Sequence, residues 1–162
     1  MRILRLNLKT FGPFTNKEIN LSAGNYGLHI IYGPNEAGKS SSLRAINAVL
    51  FGIPGRTDDN FLHDNSLLRV GADLVCREGK ELSFVRKKGN KNTLITPNEE
   101  EEITDLELQY FLKGITVERF FSEFALNHGE LVKGGNIFLS NKGDVGQSLF
   151  VAGHGLIDLQ SF

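Results

Sequence analysis

Leu4, Leu6 and Leu8 alternate with Arg5, Asn7 and Lys9, the two-residue period of a strand with one buried face, until Phe11-Gly12-Pro13-Phe14 breaks it. A shorter alternation sets Ile19 and Leu21 against Glu18 and Asn20. It leads through Ala23-Gly24-Asn25-Tyr26-Gly27 into Leu28-His29-Ile30-Ile31-Tyr32, a run apolar enough to predict a buried strand. From Lys39 to Phe51 the period changes to that of a helix, with Leu43, Ile46 and Leu50 on one face, and Gly52-Ile53-Pro54-Gly55 ends the element. The expected order is strand, strand, buried strand, glycine loop, helix.

Alternation returns at Leu68, Val70, Ala72, Leu74 and Cys76. Arg77-Glu78-Gly79-Lys80 reads as a turn, Leu82 and Phe84 as a partner strand, Lys88-Gly89-Asn90-Lys91-Asn92 as a second turn and Thr93-Leu94-Ile95-Thr96 as a third strand. An antiparallel meander over about 66–96 is therefore expected after the first helix. Past the acidic run Glu99–Glu102, helical patterns cover about 105–113, 117–126 and 144–152, joined by glycine-containing loops. Phe120, Phe121, Phe124, Phe138 and Phe150 fall in apolar patterns and are expected in the core.

The 162 residues make about one domain, and 18 basic against 19 acidic side chains leave a net charge of −1, so no whole-molecule field draws the chain to nucleic acid or lipid. Cys76 has no partner for an internal disulfide, the first residues lack the apolar core of a signal peptide, and no apolar run approaches the ~18 residues of a membrane span. These features predict a cytoplasmic protein with no membrane partner. Neither a zinc-spaced His/Cys cluster nor a Gly-x-Ser-x-Gly turn occurs.

Gly33-Pro34-Asn35-Glu36-Ala37-Gly38-Lys39-Ser40 fits glycine, any four residues, Gly-Lys-Ser, and it stands between an expected strand and a helix. Backbone N–H groups and the positive helix terminus then converge on one concavity suited to a polyphosphate. Gly33 and Gly38 admit close backbone approach. Lys39 reaches the β- and γ-phosphates and is the candidate catalytic cation, Ser40 is the candidate Mg²⁺ ligand, and Ser41 completes a nucleotide-binding set of residues 33–41. ATP and Mg²⁺ are the expected cofactors.

Other uses of the chain stay open. Asn141-Lys142-Gly143-Asp144 matches a guanine-recognition motif and admits a small GTPase, although no Asp-x-x-Gly lies between Ser41 and Asn141; a turn followed by a helix N-cap at Asp144 explains the same residues. Arg86, Lys87, Lys88 and Lys91 cluster with Asn90 and Asn92 at the end of the meander, fit either for phosphate backbones in a non-catalytic DNA-binding module or for solvation of a hairpin tip.

The loop, the opening Met1-Arg2-Ile3-Leu4-Arg5-Leu6, Phe11-Gly12-Pro13-Phe14 and Leu50-Phe51-Gly52-Ile53 together resemble the amino-terminal half of an ABC-type ATPase head of the SMC/SbcC/RecF group of DNA-repair ATPases. Within that group the chain is most similar to the YhaN-like AAA proteins, through Phe61-Leu62-His63-Asp64, Arg86–Leu94, Glu118-Arg119-Phe120 and Gly146-x-x-Leu149-Phe150-x-Ala152-Gly153-x-Gly155. The resemblance implies an α/β P-loop lobe over 1–162, with a P-loop core over about 1–55, the antiparallel meander as a subdomain and a helical segment over about 104–153. It also implies that the Walker B acid, the catalytic glutamate and the signature motif belong to a carboxy-terminal lobe beyond a coiled coil. None of these is recognisable here, so a truncated lobe with little hydrolysis of its own is expected. A second head joined through ATP, double-stranded DNA and a calcineurin-like phosphoesterase nuclease are the implied partners. His63 and Asp64 fall where such heads approach the base, with a capped turn as the other reading. His128 or Asn127 stands where these heads carry a sensor glutamine, which makes His128 a candidate catalytic residue; a surface-loop histidine is the alternative.

Overall fold

The computed structural model describes residues 1–23, 27–125 and 128–139. The chain divides into two compact units, Met1–Val117 and Glu118–Phe162.

In the first unit, β1 (Arg2–Phe11) turns through Gly12-Pro13 into β2 (Phe14–Asn20), and Gly12 takes the positive φ of 56° that this tight reversal demands. After the glycine loop comes α1 (Lys39–Phe51), then a short 3₁₀ turn at Asn65–Leu67, β3 (Arg69–Val75), β4 (Glu81–Lys87), β5 (Leu94–Ile95) and α2 (Asp105–Leu112). All five strands form one antiparallel sheet in the order β2-β1-β3-β4-β5. The expected meander is present, yet it is continuous with the opening hairpin, because β3 pairs directly with β1. The architecture is α/β on an antiparallel sheet, not the parallel sheet of a typical P-loop fold.

The sheet face bearing Leu6, Leu8, Val70, Ala72, Leu74 and Phe84 is closed by α1. The helix buries Ser41, Ser42, Ala45, Ala48, Val49 and Leu50, while Leu43 and Ile46, expected on the buried face beside Leu50, are only half-buried. Small residues on the facing stripe let the helix axis lie close to the strands, and the larger pair moves to the flank. Within β3, Gly71 lets β4 approach: a Cβ there would stand 2.8 Å from the Phe84 carbonyl oxygen. Cross-sheet ion pairs, Arg5 to Asp73 at 2.5 Å and Lys9 to Glu99 at 2.8 Å, tie the rim. Glu99 thus leaves the acidic run to anchor its loop, with Arg69 at 3.4 Å.

The largest departure from expectation is Leu28–Tyr32. This segment forms no strand, and Leu28, Ile30 and Tyr32 are 79%, 78% and 90% exposed. A β-prone sequence becomes a strand only when another strand satisfies its backbone groups, and the edges of this sheet are made by β2 and β5.

The second unit contains most of α3 (Val117–Glu123) and α4 (His128–Leu139). The sequence pattern placed a glycine-containing loop where α4 stands. Phe124, expected in the core, is exposed and stacks on Phe120 at 6.4 Å between ring centres. The expected helix over about 144–152, Phe150, Asn127 and the Asn141–Asp144 motif lie outside the described residues.

Candidate functional site

The phosphate-type loop runs from Gly33 to Lys39 and opens directly into α1. Gly38 caps the helix with φ of 89°, and no side chain caps the first-turn N–H groups. A side chain at Gly38 would run into the Phe14 ring and come within 3.1 Å of Pro13, so both backbone angle and space require glycine there. At Gly33 a Cβ would stand 3.2 Å from the Ala37 Cβ. Glu36 also takes a positive φ, 66°. Lys39 Nζ reaches back to donate to the Gly33 and Pro34 carbonyl oxygens at 2.8 and 2.6 Å, closing the loop into a ring with an ammonium at its rim.

An open cavity of about 480 Å³ adjoins the loop and the start of α1, lined by Pro13, Asn35, Glu36, Gly38, Lys39, Ser40, Ser41 and Phe61. Uncapped helix amides, the positive end of the α1 dipole and one ammonium all border it, a combination that favours an anion. Ser40 is exposed at this surface. Ser41 is buried and its hydroxyl accepts a hydrogen bond from Arg44 Nη2 at 2.9 Å. Among the described residues no cluster of three or more His, Cys, Asp or Glu could hold a metal ion; the oxygen-bearing side chains lining this cavity include Asn35, Glu36 and Ser40.

Beneath the loop sits a group that sequence patterns did not single out. Asp59, 2% exposed, receives Arg44 Nε and Nη2 at 2.7 Å each, and its carbonyl oxygen accepts the Gly12 N–H at 2.8 Å. The carboxylate's hydrogen bonds raise the Arg44 guanidinium above its ordinary value, against the opposing effect of burial. One buried aspartate thereby locks α1, the β1–β2 turn and the segment after the helix together. The polar stretch Thr57-Asp58-Asp59-Asn60 carries no periodic signal that could have disclosed this.

His63 Nε2 lies 2.9 Å from the Phe14 carbonyl oxygen and 3.0 Å from Thr15 Oγ1. Its imidazole is a tether to the hairpin, and Asp64 caps the 3₁₀ turn through its backbone, accepting from Leu67 N–H at 2.9 Å. His128 begins α4 in the second unit, apart in sequence from the loop's unit.

Two of the four basic residues at the meander's end, Arg86 and Lys88, are bonded within the fold. Arg86 is buried and donates from Nε to Val49 O at 3.0 Å, from Nη2 to Leu50 O at 3.3 Å and from Nη1 to Thr93 Oγ1 at 2.8 Å. It satisfies carbonyls at the end of α1 that the helix itself leaves open. Burial lowers its pKa, with Asp105 acting in opposition. Lys88 Nζ donates to Pro54 O at 2.6 Å and Gly55 O at 2.9 Å. A larger cavity of about 590 Å³ adjoins Arg86, but it lies at the opposite end of α1 from the glycine loop.

Comparison with known proteins places the chain in a family. A family model described as an AAA domain matches residues 1–162. Over 54 residues, a third of the chain, the sequence is 39% identical to the uncharacterized protein YhaN of Bacillus subtilis (strain 168), a match that spans only 5% of that protein's length. Among the described residues no helix is long and apolar enough to cross a membrane. With the glycine loop, the helix it opens and a family match along its whole length, the chain belongs to the AAA-domain family.

Proposed function

We propose that the chain is the ATP-binding lobe of a DNA-processing ATPase of the YhaN/SbcC type. The observation that carries this reading is the uncapped amino terminus of α1, entered through a glycine at φ 89° with Lys39 and Ser40 at the cavity. Residues 33–41 would hold the triphosphate of MgATP: backbone N–H groups and the helix dipole would face the phosphate oxygens, Lys39, now on two carbonyls, would supply the positive charge, and Ser40 would be the Mg²⁺ ligand. When bound, Mg²⁺ would supply positive charge that offsets the negative charge of the triphosphate.

The groups that activate water come, in this proposal, from a carboxy-terminal lobe, and a second head closes over the γ-phosphate, making ATP the link between heads. The exposed apolar segment 28–32, immediately before the loop, supports an incomplete lobe. Double-stranded DNA and a calcineurin-like phosphoesterase nuclease complete the proposed assembly, with the chain working in the cytoplasm.

Titration calorimetry with MgATP tests the core of this reading. The chain binds ATP without preference for GTP, and Lys39→Ala weakens binding about 10- to 100-fold, the value of charge-assisted phosphate hydrogen bonds. Ser40→Ala removes the dependence on Mg²⁺. A strong preference for GTP, or ATP affinity indifferent to Lys39, sinks the proposal.

A further inference from the structure

We infer that Phe61 is the platform on which the nucleobase stacks. The inference rests on the nucleotide reading of the loop and adds a residue that governs affinity. Phe61 borders the same cavity as Gly38, Lys39 and Ser40, yet is 67% exposed, so it contributes little to any core. Its segment is fastened on both sides. Two residues before it, Asp59 is buried, gripped by Arg44 and bound through its carbonyl to Gly12 N–H. Two residues after it, His63 is bound to Phe14 O and Thr15 Oγ1.

These anchors lie on the two sides of the Gly12-Pro13 turn, so residues 60–62 form a short strap across that turn. Pro13 shares the cavity wall with Phe61. A large aromatic ring held in water on a tethered strap beside an anion site has one favourable use, which is to cover a flat apolar ligand whose charged end sits in the loop. The other polar lining, residues 35–41, belongs to the phosphate loop. The ring therefore offers a π-face without hydrogen bonds to base edges, and stacking of this kind tolerates any base.

Three probes separate the components: inorganic tripolyphosphate, ATP and GTP, each with Mg²⁺, titrated into the whole chain and into Phe61→Ala and Phe61→Trp. In the wild type both nucleotides bind more tightly than tripolyphosphate. Phe61→Ala weakens ATP and GTP alike, about tenfold, and leaves tripolyphosphate affinity and melting temperature unchanged, while Phe61→Trp restores nucleotide binding. Unchanged ATP and GTP affinity in Phe61→Ala overturns the stacking role and leaves the loop assignment standing. Loss of tripolyphosphate binding in that variant also overturns it, by assigning Phe61 to the fold. A wild-type chain that binds none of the three probes overturns the nucleotide reading itself, and the stacking role with it.

Discussion

Arg86 shows how a single side chain can carry opposite meanings in sequence and in space. In sequence it heads a basic cluster, but its three hydrogen-bonded nitrogens are spent on Val49 O, Leu50 O and Thr93 Oγ1 inside the molecule. Removing it leaves helix-end carbonyls buried without donors, so Arg86→Met is expected to cost about 3 kcal/mol in urea unfolding. Lys91→Ala, at an exposed position, stays within about 0.5 kcal/mol. Glu99 gives a pH signature. The hydrogen bond from Lys9 holds its carboxyl below the ordinary value of 4.5, against partial burial. A carboxylate depressed on folding contributes stability that is fully present above its unfolded value and is lost as pH falls through the folded one. Glu99→Gln therefore lowers the unfolding free energy measured in urea at pH 7, by no more than about 0.5 kcal/mol after solvent screening, and the difference from wild type closes as pH drops below 4.5. A gap that persists undiminished at pH 2 would assign the effect to shape, not charge.

At the scale of elements, what was legible followed from local rules. Alternation disclosed β1, β3 and β4, the Gly12-Pro13 break disclosed the hairpin, and the glycine loop with the apolar run behind it disclosed α1. Two elements were misread for different reasons. Helix α4 contains Gly129, Gly134 and Gly135, each worth up to about 1 kcal/mol against a helix, so propensity argued for a loop. Leu28–Tyr32 reads as a strand because its side chains favour one, but a strand also needs a neighbour, and composition does not say where the neighbour resides. The candidate site divides the same way: its contiguous residues 33–41 were legible, whereas Asp59, Arg44 and Phe61 join it only through the fold. If segment 28–32 is a docking strand for the rest of the polypeptide, Ile30→Lys leaves the melting temperature of this chain within about 1 °C, since Ile30 is 78% exposed. The same change in a longer protein carrying the proposed second lobe reduces ATPase activity at least tenfold. Full activity in that variant removes the docking role.

For the whole molecule, the question is how much the phosphate loop depends on the residues beyond it. The first unit holds the five-stranded sheet, helices α1 and α2, the Asp59–Arg44 lock and every residue bordering the loop's cavity. The second holds α4, which begins at His128, one of the two residues, with Asn127, that the family resemblance offers in place of a sensor glutamine. If nucleotide affinity is set by amides, one ammonium and one ring, all of them supplied by the first unit, then the chain cut after Val117 melts cooperatively and binds MgATP within about twofold of the 162-residue chain. His128→Ala in the uncut chain likewise leaves the dissociation constant unchanged, because a sensor acts on hydrolysis in the assembled enzyme and not on ground-state binding. A drop in affinity of tenfold or more on cutting, matched by His128→Ala, would instead make the second unit part of the binding site and move His128 from a sensor of turnover to a direct ligand contact.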